Sequence, residues 1–235
     1  MQSTQGIGDR VTSARHGSTR RLRMLAAATL LTASASLAAC SDPGPLDDFG
    51  DAQRSQLESA WVAGINATDT APIPVDQRNA RVTALYKACE PLDQATPLLA
   101  AVAATCAPTA VAAKLSAVLP ERCAKPSTAC VRALDRIAQT TEELATASAA
   151  LSTASASAVP AGACRTELSW TQPQLKAYGD LAQAYRVLAL GVERRDEEIS
   201  ALGQRRIDDA RAMITPPGTV AERTARFREA CGLAD

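Results

Sequence analysis

Between Ser127 and Leu151 the residues Cys130, Leu134, Ile137, Thr141, Leu144, Ser148 and Leu151 recur in alternating steps of four and three. That spacing gathers them on one face of an α-helix, with the near-heptad seam of helices that pack lengthwise against a partner. A strand would need a period of two. A longer pattern runs from about Gln172 to Ile214, with Tyr178, Leu181, Tyr185, Leu188, Val192, Ile199 and Leu202 on one side and charges elsewhere. A continuous helix there would approach about 60 Å at 1.5 Å per residue. Pro216, Pro217 and Gly218 end it.

Shorter elements precede these. Leu57, Trp61 and Ile65 recur every four residues and give an amphipathic helix that stops between Thr68 and Pro74. Val82, Leu85, Tyr86 and Cys89 mark one face of a second helix, from about Asp76 to Cys89. Pro91 and Pro97 separate it from an apolar, Ala-rich turn region through Thr105, and a helix from about Thr109 to Leu119 is broken by Pro120. The Ala, Ser and Pro rich stretch from Ser152 to Gly162 reads as a linker that turns the chain back. A last short helix from Thr219 to about Ala230 leads to Cys231. With no run of alternating β-branched residues, the expected fold is all-α: a disulfide-stapled helical bundle with a long antiparallel helical hairpin.

At the N-terminus an uncharged run from Met24 to Leu37 follows Arg20, Arg21 and Arg23, and only 16 positions separate Arg23 from Cys40. A membrane span needs about 20 apolar residues, so the segment reads as a removable export signal. Leu37-Ala38-Ala39-Cys40 resembles the lipobox of bacterial lipoproteins, whose pattern is Leu, a small residue, Ala or Gly, then Cys. The resemblance implies cleavage between Ala39 and Cys40, diacylglycerol on the Cys40 sulfur and acylation of the new amino group. Two or three chains at about 0.8 kcal/mol per buried methylene hold a protein on a membrane without crossing it. In lipoproteins of enteric bacteria an aspartate after the cysteine retains the protein at the inner membrane. Ser41 instead favours an outer membrane, where one exists. Thr19-Arg20-Arg21 shares part of the twin-arginine signal, but Arg23 stands where that signal prefers an apolar residue. The long stretch ahead of the arginines points to a translation start further down, near Val11.

The expected organisation is therefore a signal peptide over residues 1–39, a flexible tether over 40–50 and a helical domain over 51–235. Asp42, Pro43, Gly44, Pro45, Asp47 and Asp48 give the tether a composition that does not pack. In an exported chain the six further cysteines, Cys89, Cys106, Cys123, Cys130, Cys164 and Cys231, read as up to three disulfides. Laying the Ser127 helix antiparallel to the Gln172 helix sets Cys130 level with residues 197–200, and the terminal helix returns Cys231 to a similar height. A Cys130 to Cys231 bond fits that layout, sequential pairing competes with it, and sequence alone does not separate the connectivities. Metal binding would favour C-x-x-C pairs, and the closest spacing is Cys123 to Cys130, so no metal site is expected.

Charge and histidine content exclude more. Residues 1–39 carry five Arg and one Asp, which leaves 196 residues with 20 basic and 24 acidic groups and no electrostatic case for nucleic acid. The single histidine, His16, lies in the signal segment. Imidazole-dependent catalysis and most catalytic zinc sites are thereby ruled out of the mature chain.

The remaining candidates are few. Glu193 and Glu197 would share a face of one long helix and could hold a cation or act as acid and base, although Arg194 with Glu198 reads there as an ordinary i,i+4 pair. Glu142 and Glu143 are adjacent and point apart. Trp170, Tyr178 and Tyr185 could form an aromatic platform, but Tyr178 and Tyr185 fall on the stripe expected to be core. Gly179, Gly191 and Gly203 recur every twelve residues, which on one helix sends them in three directions as weak points. Asn66-Ala67-Thr68 is a chance glycosylation sequon, and no phosphate loop or nucleophile elbow occurs.

These features lead to a lipid-anchored envelope protein, not an enzyme, whose helical domain binds another envelope component as inhibitor, adaptor or structural element. No cofactor is expected beyond the acyl groups on Cys40, and the partners are a membrane and a protein. The alternative is a small-ligand binder with a cavity between helices. A hydrolase acting on glycans through Glu193 and Glu197 comes third.

Overall fold

The computed structural model describes residues 44–69 and 73–233. They form eight α-helices and no strand: α1 (Asp51–Ala67), α2 (Val75–Cys89), α3 (Pro97–Arg122), α4 (Thr128–Ala158), α5 (Ala163–Leu168), α6 (Gln172–Arg194), α7 (Glu197–Ile214) and α8 (Val220–Cys231). The fold is an all-α, disulfide-stapled bundle. Cys40, with Leu37, Ala38 and Ala39, lies outside the described residues.

Two apolar clusters hold the helices together. Leu57, Val82, Leu98, Leu99, Val102, Leu151, Leu168 and Phe227 centre the first, built from α1 to α5 and α8. Leu134, Ile137, Leu181, Tyr185 and Ile207 centre the second, between α4, α6 and α7. The expected hairpin is present: Glu142 pairs with Arg186 at 2.7 Å, and Trp170 N donates to Ser152 Oγ at 2.8 Å, so α4 and α6 run antiparallel.

The long stretch from Gln172 to Ile214 is not one helix. Arg195 adopts a left-handed conformation with φ 55°, and the chain reverses. The Asp196 N–H donates to the Gly191 carbonyl at 2.9 Å, and the Asp196 carboxylate caps α7 by accepting from Ile199 N at 3.0 Å. Glu197 and Glu198 then occupy the first turn of α7, where the helix dipole favours anions. Glu193 through Glu198 is thus a helix end followed by a helix start. A left-handed Arg is strained, and Arg195→Gly is expected to raise stability by about 1 kcal/mol in urea unfolding.

The reversal also changes the glycines. A Cβ on Gly191 would sit 2.5 Å from Ser200 N, and one on Gly203 would sit 2.6 Å from Leu188 N. Both let the α6 and α7 backbones touch, whereas Gly179 meets nothing within 4 Å. Gly191 and Gly203 are therefore close-packing residues of a second hairpin, not weak points in a rod.

The cysteines pair in sequence order. Cys89–Cys106 joins α2 to α3, Cys123–Cys130 spans the turn from α3 to α4, and Cys164–Cys231 joins α5 to α8. A Cys130 to Cys231 bond does not form, because α7 folds back along α6 and delivers α8 to α5 and α1 instead. Cys130 is buried in the second cluster and Cys231 in the first.

Three further boundaries differ from the sequence reading. Helix α3 runs unbroken through Pro108 and Pro120, where a turn region and a shorter helix were expected. An internal proline costs about 3 kcal/mol. Burial of Leu98, Leu99 and Val102, at about 1.5–3 kcal/mol per large side chain, offsets it. The expected linker from Ser152 is helical to Ala158, and its Ser155 hydroxyl meets Ser169 Oγ at 2.8 Å. The packed region also begins before residue 51, inside the stretch expected to be tether: Leu46 and Phe49 are buried in the first cluster. Among the described residues α3 alone is long and apolar enough to cross a membrane, and here it packs against α1, α2 and α4 as the core helix.

Candidate functional site

A chamber of about 520 Å³ lies where α1, α3, α4, α6 and α8 meet. Val102 of α3 and Leu144 and Leu151 of α4 supply apolar lining, and Trp61 of α1 faces the same space. Trp61 also stacks beside Phe227 of α8, with ring centroids 5.7 Å apart. Trp170 and Tyr178 add an edge-on pair at 5.3 Å. The two tryptophans of the chain therefore both border the chamber.

A volume of this size falls within the range of about 300–1,000 Å³ typical of small-molecule sites, and its composition, mostly apolar with a few polar groups, is also typical. One polar group is conspicuous. The Ser148 side chain, 1% exposed, borders the chamber, and its Oγ has no hydrogen-bond partner. Its neighbours on α4 are satisfied: Thr140 donates to the Arg136 carbonyl at 2.9 Å and Thr141 to the Ile137 carbonyl at 2.7 Å. A buried hydroxyl left alone costs about 1–3 kcal/mol.

The charged groups collect on the side formed by α5, Pro217 and α8. Arg226 pairs with Glu167 at 3.2 Å and donates to the Pro217 carbonyl at 3.2 Å. Arg81 holds Asp69 at 2.8 Å. Arg223 borders the chamber with its guanidinium part-buried; burial, with Arg226 beside it, pushes its pKa down, against weaker pulls from Asp69, Glu167 and Tyr178. Burial pushes the Tyr178 phenol up, and Arg223 opposes that shift.

The residues singled out from sequence are distributed as follows. Tyr178 and Tyr185 are core residues, as their stripe implied, and the Tyr185 hydroxyl accepts from Arg211 at 2.7 Å. Tyr178 reaches the chamber as well, and Trp170 is half-buried on its wall. Glu193 and Glu197 are exposed on different helices, so the shared carboxylate face, and the Arg194 and Glu198 pair with it, is lost at the Arg195 reversal. Glu142 pairs with Arg186, and Glu143 accepts from Gln139 at 3.0 Å. Asn66 closes α1 by donating to the Val62 carbonyl. Among the described residues no three His, Cys, Asp or Glu side chains converge as a metal site would require.

Sequence reasoning missed Ser148 as a chamber residue, because its place on the α4 stripe reads as core. It also missed Arg223 and Arg226. The Thr219 and Glu222 capping box fixes the start of α8, and three residues apart puts both arginines on one face. Nothing local says what that face looks upon. Comparison with family models, curated proteins and solved structures returns no match.

Proposed function

We propose that this chain is an exported lipoprotein, held on a membrane by acyl groups on Cys40, whose helical body binds one small amphiphilic molecule. The chamber carries the reading: apolar lining and a part-buried cation gathered around about 520 Å³ of space. The six paired cysteines suit an oxidising space outside the cytoplasm. The lipobox supplies the anchor.

Docking of a partner protein draws less support. The large apolar side chains left exposed among the described residues are Val75, Tyr86, Leu190, Leu202 and Met213, spread over three helices. Scattered exposure of this kind is ordinary for a protein surface.

Two variants separate anchor from chamber. Cys40→Ser should move the protein from the membrane pellet to the soluble fraction; unchanged fractionation would contradict the anchor. Ser148→Leu removes the orphan hydroxyl and fills space, so it should raise stability by about 1 kcal/mol or more. The same variant should weaken binding of 12-bromododecanol, read as bromine quenching of Trp61 and Trp170 in the full chain held in lipid nanodiscs. Absence of quenching in the unaltered protein, by this probe and by charged probes with the same tail, would sink the chamber reading.

A further inference from the structure

Of the charged groups around the chamber, Arg223 alone is left over. Asp69 is held by Arg81 at 2.8 Å and Glu167 by Arg226 at 3.2 Å, so each nearby carboxylate already has a closer guanidinium. Among the described residues no acceptor lies at hydrogen-bond distance from the Arg223 side chain, although that side chain is part-buried and borders the chamber. Arginine stays protonated even when burial pushes its pKa down, and its planar fork of five N–H donors matches the oxygens of a carboxylate or phosphate. Glu167, Arg223 and Arg226 are the charged residues that line the chamber, and together they carry one positive charge in excess.

We infer that the guest is a single-chain amphiphile with one anionic head group, its head on Arg223 and its tail among Trp61, Val102, Leu144 and Leu151. The inference rests on the chamber being a binding site and adds the class of ligand. A neutral amphiphile would leave the arginine unpaired, and a cationic one would set like charges together inside a part-buried site. A volume of about 520 Å³ matches one chain with its head.

Three probes with the same tail test this on the full chain in lipid nanodiscs: 12-bromododecanoate, 12-bromododecanol and 12-bromododecyltrimethylammonium, each read by quenching of Trp61 and Trp170. The expected order is carboxylate first, by about 10- to 100-fold over the alcohol, as a charge-assisted hydrogen bond would give, and the ammonium last. Arg223→Gln should abolish the preference of carboxylate over alcohol, and Arg223→Lys should keep much of it. Should Arg223→Gln fail to fold, the order of the three probes on the unaltered protein still decides. Equal quenching by all three, or ammonium ahead of carboxylate, overturns the anionic class while leaving the chamber as a site. Quenching by none overturns both.

Discussion

The double variant Cys164→Ser/Cys231→Ser is expected to lose about 4 kcal/mol of stability, the largest effect of any disulfide in the molecule. The bond closes a separation of 67 residues, against 17 for Cys89–Cys106 and 7 for Cys123–Cys130. Chain entropy then assigns about 4, 3 and 2 kcal/mol in that order, since a longer loop is more restricted in the unfolded state. The location matters as much as the loop. Both sulfurs are buried, and the bond ties α8 to α5, the two helices that carry Arg223, Arg226 and Glu167. Loosening α8 should therefore also cut quenching by 12-bromododecanoate, whereas removing Cys123–Cys130, at the far turn from α3 to α4, should leave it nearly intact. Urea unfolding beside the quenching titration reads both effects. Equal losses from the two double variants would mean that the long loop is not what the bond restrains.

The second large effect comes from one methyl group. Gly203→Ala should cost about 2–3 kcal/mol, because the new Cβ would meet the Leu188 backbone N at 2.6 Å and Cα at 2.7 Å. A flexible side chain could move aside, but a helix backbone cannot without parting α6 from α7 and opening the cluster around Tyr185 and Ile207. Gly179→Ala is the control: its Cβ meets nothing, so the helix-propensity gain of about 1 kcal/mol should appear unopposed. Opposite signs at two glycines of the same twelve-residue spacing would mark the α6 and α7 contact. Stabilisation at both positions would show that the two helices do not touch there.

How much of this was legible in the sequence depended on whether the determining contact was local. The α4 stripe followed from periodicity and its antiparallel match to α6 from the chain reversal expected between Ser152 and Gly162, and Glu142 with Arg186 stand where that register puts them. The all-α class and the disulfide staples were readable for the same reason: side-chain period and cysteine content need no tertiary knowledge. The reversal at Arg195 was signalled by Asp196, Glu197 and Glu198, a cap and acidic first turn, but these also make a plausible exposed mid-helix face. Reading them as a face kept the rod continuous. That one step misplaced α8, invited a Cys130 to Cys231 bond and hid the role of Gly191 and Gly203. The prolines of α3 misled in the opposite sense, since local cost argued for breaks that burial of the surrounding Leu and Ala residues overrides. The chamber was not legible at all. Ser148, Arg223 and Trp61 lie far apart in sequence and meet only after α7 has turned back.

Native mass spectrometry of the full chain, extracted in mild detergent from the membranes of an expressing bacterium, reads anchor and chamber in one spectrum. The expected species begins at Cys40, carries diacylglycerol, and retains one further non-covalent molecule that Ser148→Leu and Arg223→Gln each release. A chain that keeps residues 1–39 or lacks the acyl mass, and that holds no additional molecule, would contradict both halves of the proposal.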